Sequence, residues 1–187
     1  MNFSRLRMAD QKLFDSDYLS IWELDDGSYS WCHENKAVDG NKVAVVIYQK
    51  HGDEYLFSGR FEKFQVHLPI GLCSITGSCD SSDPREDAVR ELHEEAGVVC
   101  QPEDLIDLGT VHPSKSMDST FYLYALDASD VEDWQRAVGD GSKDEAEATT
   151  RWVTFEDCLQ SEDPLLHSLL LRIEFHEWTP SDLLTVD

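Results

Sequence analysis

Arg90-Glu91-Leu92-His93-Glu94-Glu95-Ala96-Gly97-Val98 is the stretch that decides how this chain is read. It sets three carboxylates within five residues, and on an α-helix advancing about 100° per residue Glu91, Glu94 and Glu95 share an arc of about 100°. Like charges this close weaken an isolated helix. A hard divalent cation reverses that cost, because Mg²⁺ takes carboxylate oxygens and keeps waters and phosphates as further ligands. Ala88, Val89, Leu92 and Ala96 form an adjoining apolar stripe, which predicts a helix packed on that face with its glutamates aimed at a cleft. The ends are marked too: Asp83 as N-cap, Pro84 at the first helical position, Glu86 completing a capping box, and Gly97 as the left-handed closing residue. Glu86 stands four residues before Arg90, so the first turn is expected to hold the arginine. In a chain with 38 acidic residues a solvated acidic face is the alternative. It leaves the Arg, Leu, Gly and Val around the glutamates unexplained.

This segment resembles the second half of the Nudix box, whose pattern is Gly, five residues, Glu, seven residues, then Arg-Glu-apolar-x-Glu-Glu-x-Gly-apolar; that half is matched in full. Counting back in register puts Thr76 at the box glycine and Ser82 at the box glutamate. A second alignment is preferred: Leu68-Pro69-Ile70-Gly71-Leu72 resembles the Leu-Pro-Ala-Gly that opens the box in ADP-ribose and nucleoside-diphosphate-sugar pyrophosphatases. The stretch from Gly71 to Arg90 is then five residues longer than the pattern, and the box glutamate, which in the family mainly braces the arginine, has no clear counterpart; Glu86 is the residue expected to take over that bracing.

The resemblance covers residues 40 to 178 and implies an α/β fold, a Nudix-type α/β/α sandwich with a mixed sheet. It implies Glu91, Glu94 and Glu95, with a main-chain carbonyl near Ile70 or Gly71, as holders of Mg²⁺ or Mn²⁺. Three positions outside the box bear on subclass. Pro113 lies 15 residues after Val98, where ADP-ribose pyrophosphatases carry a proline. Arg60 in Ser58-Gly59-Arg60-Phe61 resembles the Gln-Phe-Arg that contacts the pyrophosphate there, a role suited to a fork that bonds phosphate oxygens in pairs; a solvent-facing Arg60 is the alternative. His67 stands where the sugar pyrophosphatases have Glu, so it joins Arg60 and Pro113 as an expected substrate contact. Related enzymes place a catalytic glutamate in a loop late in the chain, which points to Glu145 or Glu147 as the base, with Glu91 as the other choice.

The rest of the chain reads as mixed α/β. Ile21 to Leu24 and Ser28 to Trp31 flank Asp25-Asp26-Gly27 as a β-hairpin. Val43 to Tyr48 is nearly all apolar, as in a strand buried on both faces. Tyr55 to Phe57, Ile106 to Val111, Ser119 to Leu126 and Arg151 to Phe155 read as further strands, and Asp163-Pro164 opens a Leu-rich helix running to about Trp178. Residues 1–40 are therefore read as an N-terminal extension with a β-hairpin and 41–187 as the Nudix hydrolase domain. The related sugar pyrophosphatases imply a homodimer through such N-terminal strands.

A net charge of −23 argues against nucleic-acid backbones and anionic membrane surfaces. No run of eighteen apolar residues exists, the start lacks a signal-peptide core, and five scattered cysteines suit a reducing, cytoplasmic setting. The expected function is metal-dependent cleavage of the diphosphate link of a small nucleotide, ADP-ribose giving AMP and ribose 5-phosphate. The alternatives are a Nudix hydrolase for another nucleotide sugar or dinucleoside polyphosphate, and a catalytically silent nucleotide-binding module.

Overall fold

The computed structural model describes residues 10–52, 54–63, 69–131, 134, 137 and 148–176. Two sheets are present among them. The smaller is antiparallel, in the order β1 (Gln11–Asp15), β2 (Leu19–Glu23), β3 (Ser30–Glu34). The turn between β2 and β3 closes on Asp26 and Gly27, with Gly27 at φ 68° and Asp26 Oδ1 accepting from Ser28 N at 2.9 Å. β1 is an added strand that its exposed, unpatterned sequence does not announce.

The larger sheet is mixed and seven-stranded. Its path runs β10 (Thr149–Thr154), β5 (Glu54–Glu62), β4 (Asn41–His51), β9 (Thr120–Asp127), β8 (Leu105–Val111). The pairing of β4 with β9 is parallel and the others are antiparallel. Two short strands join its side: β6 (Gly71–Cys73) on β5 and β7 (Ile75–Ser78) on β4.

β4 explains the sandwich, because its side chains alternate between two cores. Val43, Val45 and Ile47 face helix α1 (Pro84–Glu91) and pack with Ala88, Leu92, Ala96 and Val98. Ala44, Val46 and Tyr48 face α3 (Pro164–His176) and pack with Leu166, Leu169, Leu170 and Ile173. A helix layer on each side of a mixed sheet is the expected α/β/α arrangement. α3 begins as expected, with Asp163 Oδ1 accepting from Leu165 N at 2.8 Å; Trp178 lies outside the described residues. Phe155 differs from expectation. Instead of ending a strand it starts a short helix, α2 (Phe155–Leu159), because Thr154 and Asp157 form a reciprocal capping box that turns the chain. None of the described helices is long and apolar enough to cross a membrane.

Candidate metal and substrate cleft

α1 starts where Asp83 caps it, its side chain accepting from Arg85 N at 3.0 Å. The expected partner Glu86 does not complete the box, since Ser81 Oγ takes the Asp83 N–H at 3.1 Å. Glu86 does not hold Arg90 either. It lies one position round the helix from Asp87, on the exposed side, whereas Asp87 is 3% exposed and reaches Arg90 at 3.6 Å. Asp87 also accepts from Asp80 N at 3.2 Å, Ser81 N at 3.2 Å and Ser81 Oγ at 3.0 Å, fastening the preceding loop to the helix. Asp80 adds a second brace on Arg90 at 3.6 Å.

Beyond Glu91 the helix widens into one π turn, Leu92–Ala96, before Gly97 ends it at φ 70°. π turns recur where helices carry functional side chains. Here the turn carries Glu94 and Glu95. Arg60 on β5 is neither solvent-facing nor at the cleft mouth: it is 3% exposed, pairs with Glu62 at 2.7 Å and Glu95 at 3.1 Å, and donates from Nη1 to the Glu95 carbonyl at 3.2 Å. Thr150 on β10 donates to the same carbonyl at 3.1 Å. Arg60 thus secures the end of the glutamate helix.

The three glutamates line one cleft of about 330 Å³. Arg90 lies between two of them, with Nη1 2.8 Å from Glu91 Oε1 and 3.1 Å from Glu94 Oε2, while Nη2 donates to the Ser78 carbonyl at 3.0 Å. Burial works against the Arg90 charge, but Glu91, Glu94 and Asp80 outweigh it and hold its pKa above the ordinary value. The opposite wall is β7, through Thr76, Gly77 and Ser78. Gly77 touches the helix so closely that a Cβ there would collide with the Glu91 carboxylate. Lys36, from the turn between β3 and β4, completes the rim; no pattern in the sequence pointed to it.

Gly71 is not brought to these glutamates. It sits in β6 and lines a separate cavity of about 590 Å³ with Phe61, Leu72, Arg151 and Trp152. The strand that meets Glu91 is β7, which agrees with counting the box back in register to Thr76 rather than with the alignment on Leu68 to Gly71. Pro113 is exposed on the loop after β8 and lines neither cavity. His67, Leu68, Glu145 and Glu147 lie outside the described residues.

Carboxylate oxygens are the hard ligands that Mg²⁺ and Mn²⁺ take, so the donor set fits a divalent cation in kind. Among the described residues no three His, Cys, Asp or Glu groups form a ready-made cage. An ion must compete with Arg90 for Glu91 and Glu94.

A family model for the NUDIX domain matches residues 39–171. No curated protein matches the chain. Among solved structures the chain resembles an ADP compounds hydrolase, with 17% identity, a TM-score of 0.61, and coverage of 90% of this chain and 91% of that one. It also resembles the NUDIX domain of Shewanella oneidensis NrtR complexed with ADP ribose, with 18% identity, a TM-score of 0.55, and coverage of 73% of this chain and 86% of that one. At such identities the likeness is one of fold.

Proposed function

The chain belongs to the NUDIX family, and from that premise we propose that it is a metal-dependent hydrolase of the diphosphate link in a nucleoside diphosphate derivative, with ADP-ribose as the first choice of substrate. The observation that carries this reading is the convergence of Glu91, Glu94 and Glu95 in one cleft against β7. The two solved structures named above, one an ADP compounds hydrolase and one complexed with ADP ribose, support the choice of nucleotide.

Glu91, Glu94 and Glu95 would hold Mg²⁺ or Mn²⁺. When bound, the cation would neutralise the diphosphate and lower the pKa of a water. The chain's own residues do the positioning. Arg90 holds Glu91 and Glu94 in one place, and its charge is secured by Asp80 and Asp87. Arg60 and Thr150 fix the Glu95 backbone. A glutamate takes the proton of the attacking water, either Glu145 or Glu147 from the late loop or Glu91 from the helix. The proposed products from ADP-ribose are AMP and ribose 5-phosphate.

The test is a chromatographic screen for nucleotide products from ADP-ribose, nucleotide sugars, diadenosine polyphosphates and nucleoside triphosphates, with Mg²⁺ and with excess EDTA. The highest kcat/KM is expected for ADP-ribose, and none of the activity is expected to survive EDTA. A preference for dinucleotides or triphosphates would move the substrate. Full turnover in EDTA would overturn the metal assignment.

A further inference from the structure

We propose that Lys36 is the group that grips the substrate's diphosphate at the carboxylate cleft, and that the small N-terminal sheet holds Lys36 in place for that task; this rests on the hydrolase reading above. The starting point is charge. A diphosphate approaching a chain of net charge −23, at a cleft walled by Glu91, Glu94 and Glu95, needs a local cation to overcome repulsion. The Arg90 guanidinium is already spent on its surrounding carboxylates and the Ser78 carbonyl. Lys36 differs. Among the described residues its ammonium meets no carboxylate in a recorded ion pair, and it rests over the ring of Tyr18, 4.2 Å from the centroid. A ring face attracts the charge without using up N–H donors, so the ammonium can still offer its donors to phosphate oxygens.

Lys36 is exposed yet its backbone is pinned on both sides. Before it, Asn35 N donates to the Tyr18 carbonyl at 2.9 Å, and Asn35 Nδ2 donates to the Ser16 carbonyl at 2.6 Å. Ser20, fully buried on β2, donates to Asn35 Oδ1 at 2.9 Å. After it, Ala37 is buried and Val38 N donates to the Cys79 carbonyl at 2.9 Å, just beyond the β7 wall of the cleft. The turn therefore bridges the small sheet and the cleft. Its entropy of ordering is settled in folding and not charged to the ligand.

The experiment measures ADP binding by calorimetry with Mg²⁺ present, and steady-state cleavage of ADP-ribose, for wild type and four variants. Lys36→Met is expected to weaken ADP about tenfold, the loss of one charge-assisted contact, and to raise KM in step while kcat falls far less. Lys36→Arg should recover most of that affinity. Tyr18→Leu should weaken ADP about threefold by freeing the ammonium, and Tyr18→Phe should recover it, since the ring and not the hydroxyl holds the charge. Unchanged ADP affinity in Lys36→Met would overturn the role of Lys36 and leave the hydrolase reading intact. A lowered melting temperature with unchanged affinity would overturn it as well, by making Lys36 a mere neutraliser of the carboxylates. A wild type that cleaves no substrate but loses ADP affinity on Lys36→Met would uphold Lys36 and sink the hydrolase reading.

Discussion

The Glu91 carboxylate fills the space into which a side chain at Gly77 would project. Helix and strand approach so closely there that a hydrogen is the largest group β7 can present to the glutamate.

Gly77→Ala is therefore expected to push the Glu91 side chain into another rotamer while leaving the fold in place, because the obstructing atoms belong to a flexible side chain and not to backbone. Metal affinity and kcat/KM should each fall by about tenfold or more, with a melting temperature close to wild type. Gly71→Ala is the companion, as Gly71 belongs to the other cavity. If Gly71→Ala weakens the metal and Gly77→Ala does not, the box opens at Gly71 after all. Calorimetry with Mn²⁺ reads both.

Removing a carboxylate should act through the ion. Glu94→Gln or Glu95→Gln is expected to cut kcat/KM about a hundredfold or more, with extra Mg²⁺ restoring part of the rate. A loop base behaves otherwise. Glu145→Gln or Glu147→Gln should lower kcat by roughly 10²- to 10⁴-fold at unchanged metal affinity. Near-normal kcat in both loop variants would turn attention to Glu91.

Asp87→Ala strips the partner from two backbone N–H groups and the Ser81 hydroxyl, and leaves Arg90 one brace short. We expect a loss of about 2–3 kcal/mol, read as a fall in melting temperature of roughly 5–10 °C. Glu86→Ala, on the exposed side of the same turn, should shift it far less. Equal effects in the two variants would show that Asp87 is not the brace.

The thiols give a pH prediction. Burial first, with a nearby Asp104 and Asp157 respectively, pushes Cys100 up to about 11 and Cys158 up to about 12, from an ordinary 9.0. Below pH 9 these thiols are neutral in both states; above it the unfolded chain ionises first, so stability falls progressively as pH rises from 9 toward 11 and 12. Alkaline destabilisation should therefore set in above pH 9. At pH 8 in the native state only the half-buried Cys32 should react with iodoacetamide, since the other four cysteines are buried. Early labelling of Cys158 would contradict its burial.

The elements that the sequence made legible are those that satisfy their own local rules. Asp83-Pro84 and Gly97 mark a helix whatever surrounds it, and Val43 to Tyr48 can be little but a strand covered on both faces. β6 and β7 are three and four residues long and built from Gly, Cys, Ser and Thr beside single large apolars. Their strand character comes from pairing with β5 and β4, which no local pattern carries. Residue likeness alone therefore favours Leu68 to Gly71 as the opening of the box, whereas the strand that meets the helix is β7. The brace on Arg90 falls one residue beyond its expected place, since a single step of about 100° separates exposed Glu86 from buried Asp87. Lys36 was invisible for a different reason: a lone lysine in a turn gains meaning only from the cleft beneath it.

The carbonyl of Glu95 takes its two donors from opposite directions along the chain, Arg60 lying 35 residues before it and Thr150 lying 55 residues after it. A ribosome releasing this polypeptide delivers the arginine, then the glutamates, and the threonine only when β10 has emerged. The nascent chain thus carries Asp80, Glu91, Glu94 and Glu95 well before Thr150 has emerged to lock the turn that presents the last of these glutamates.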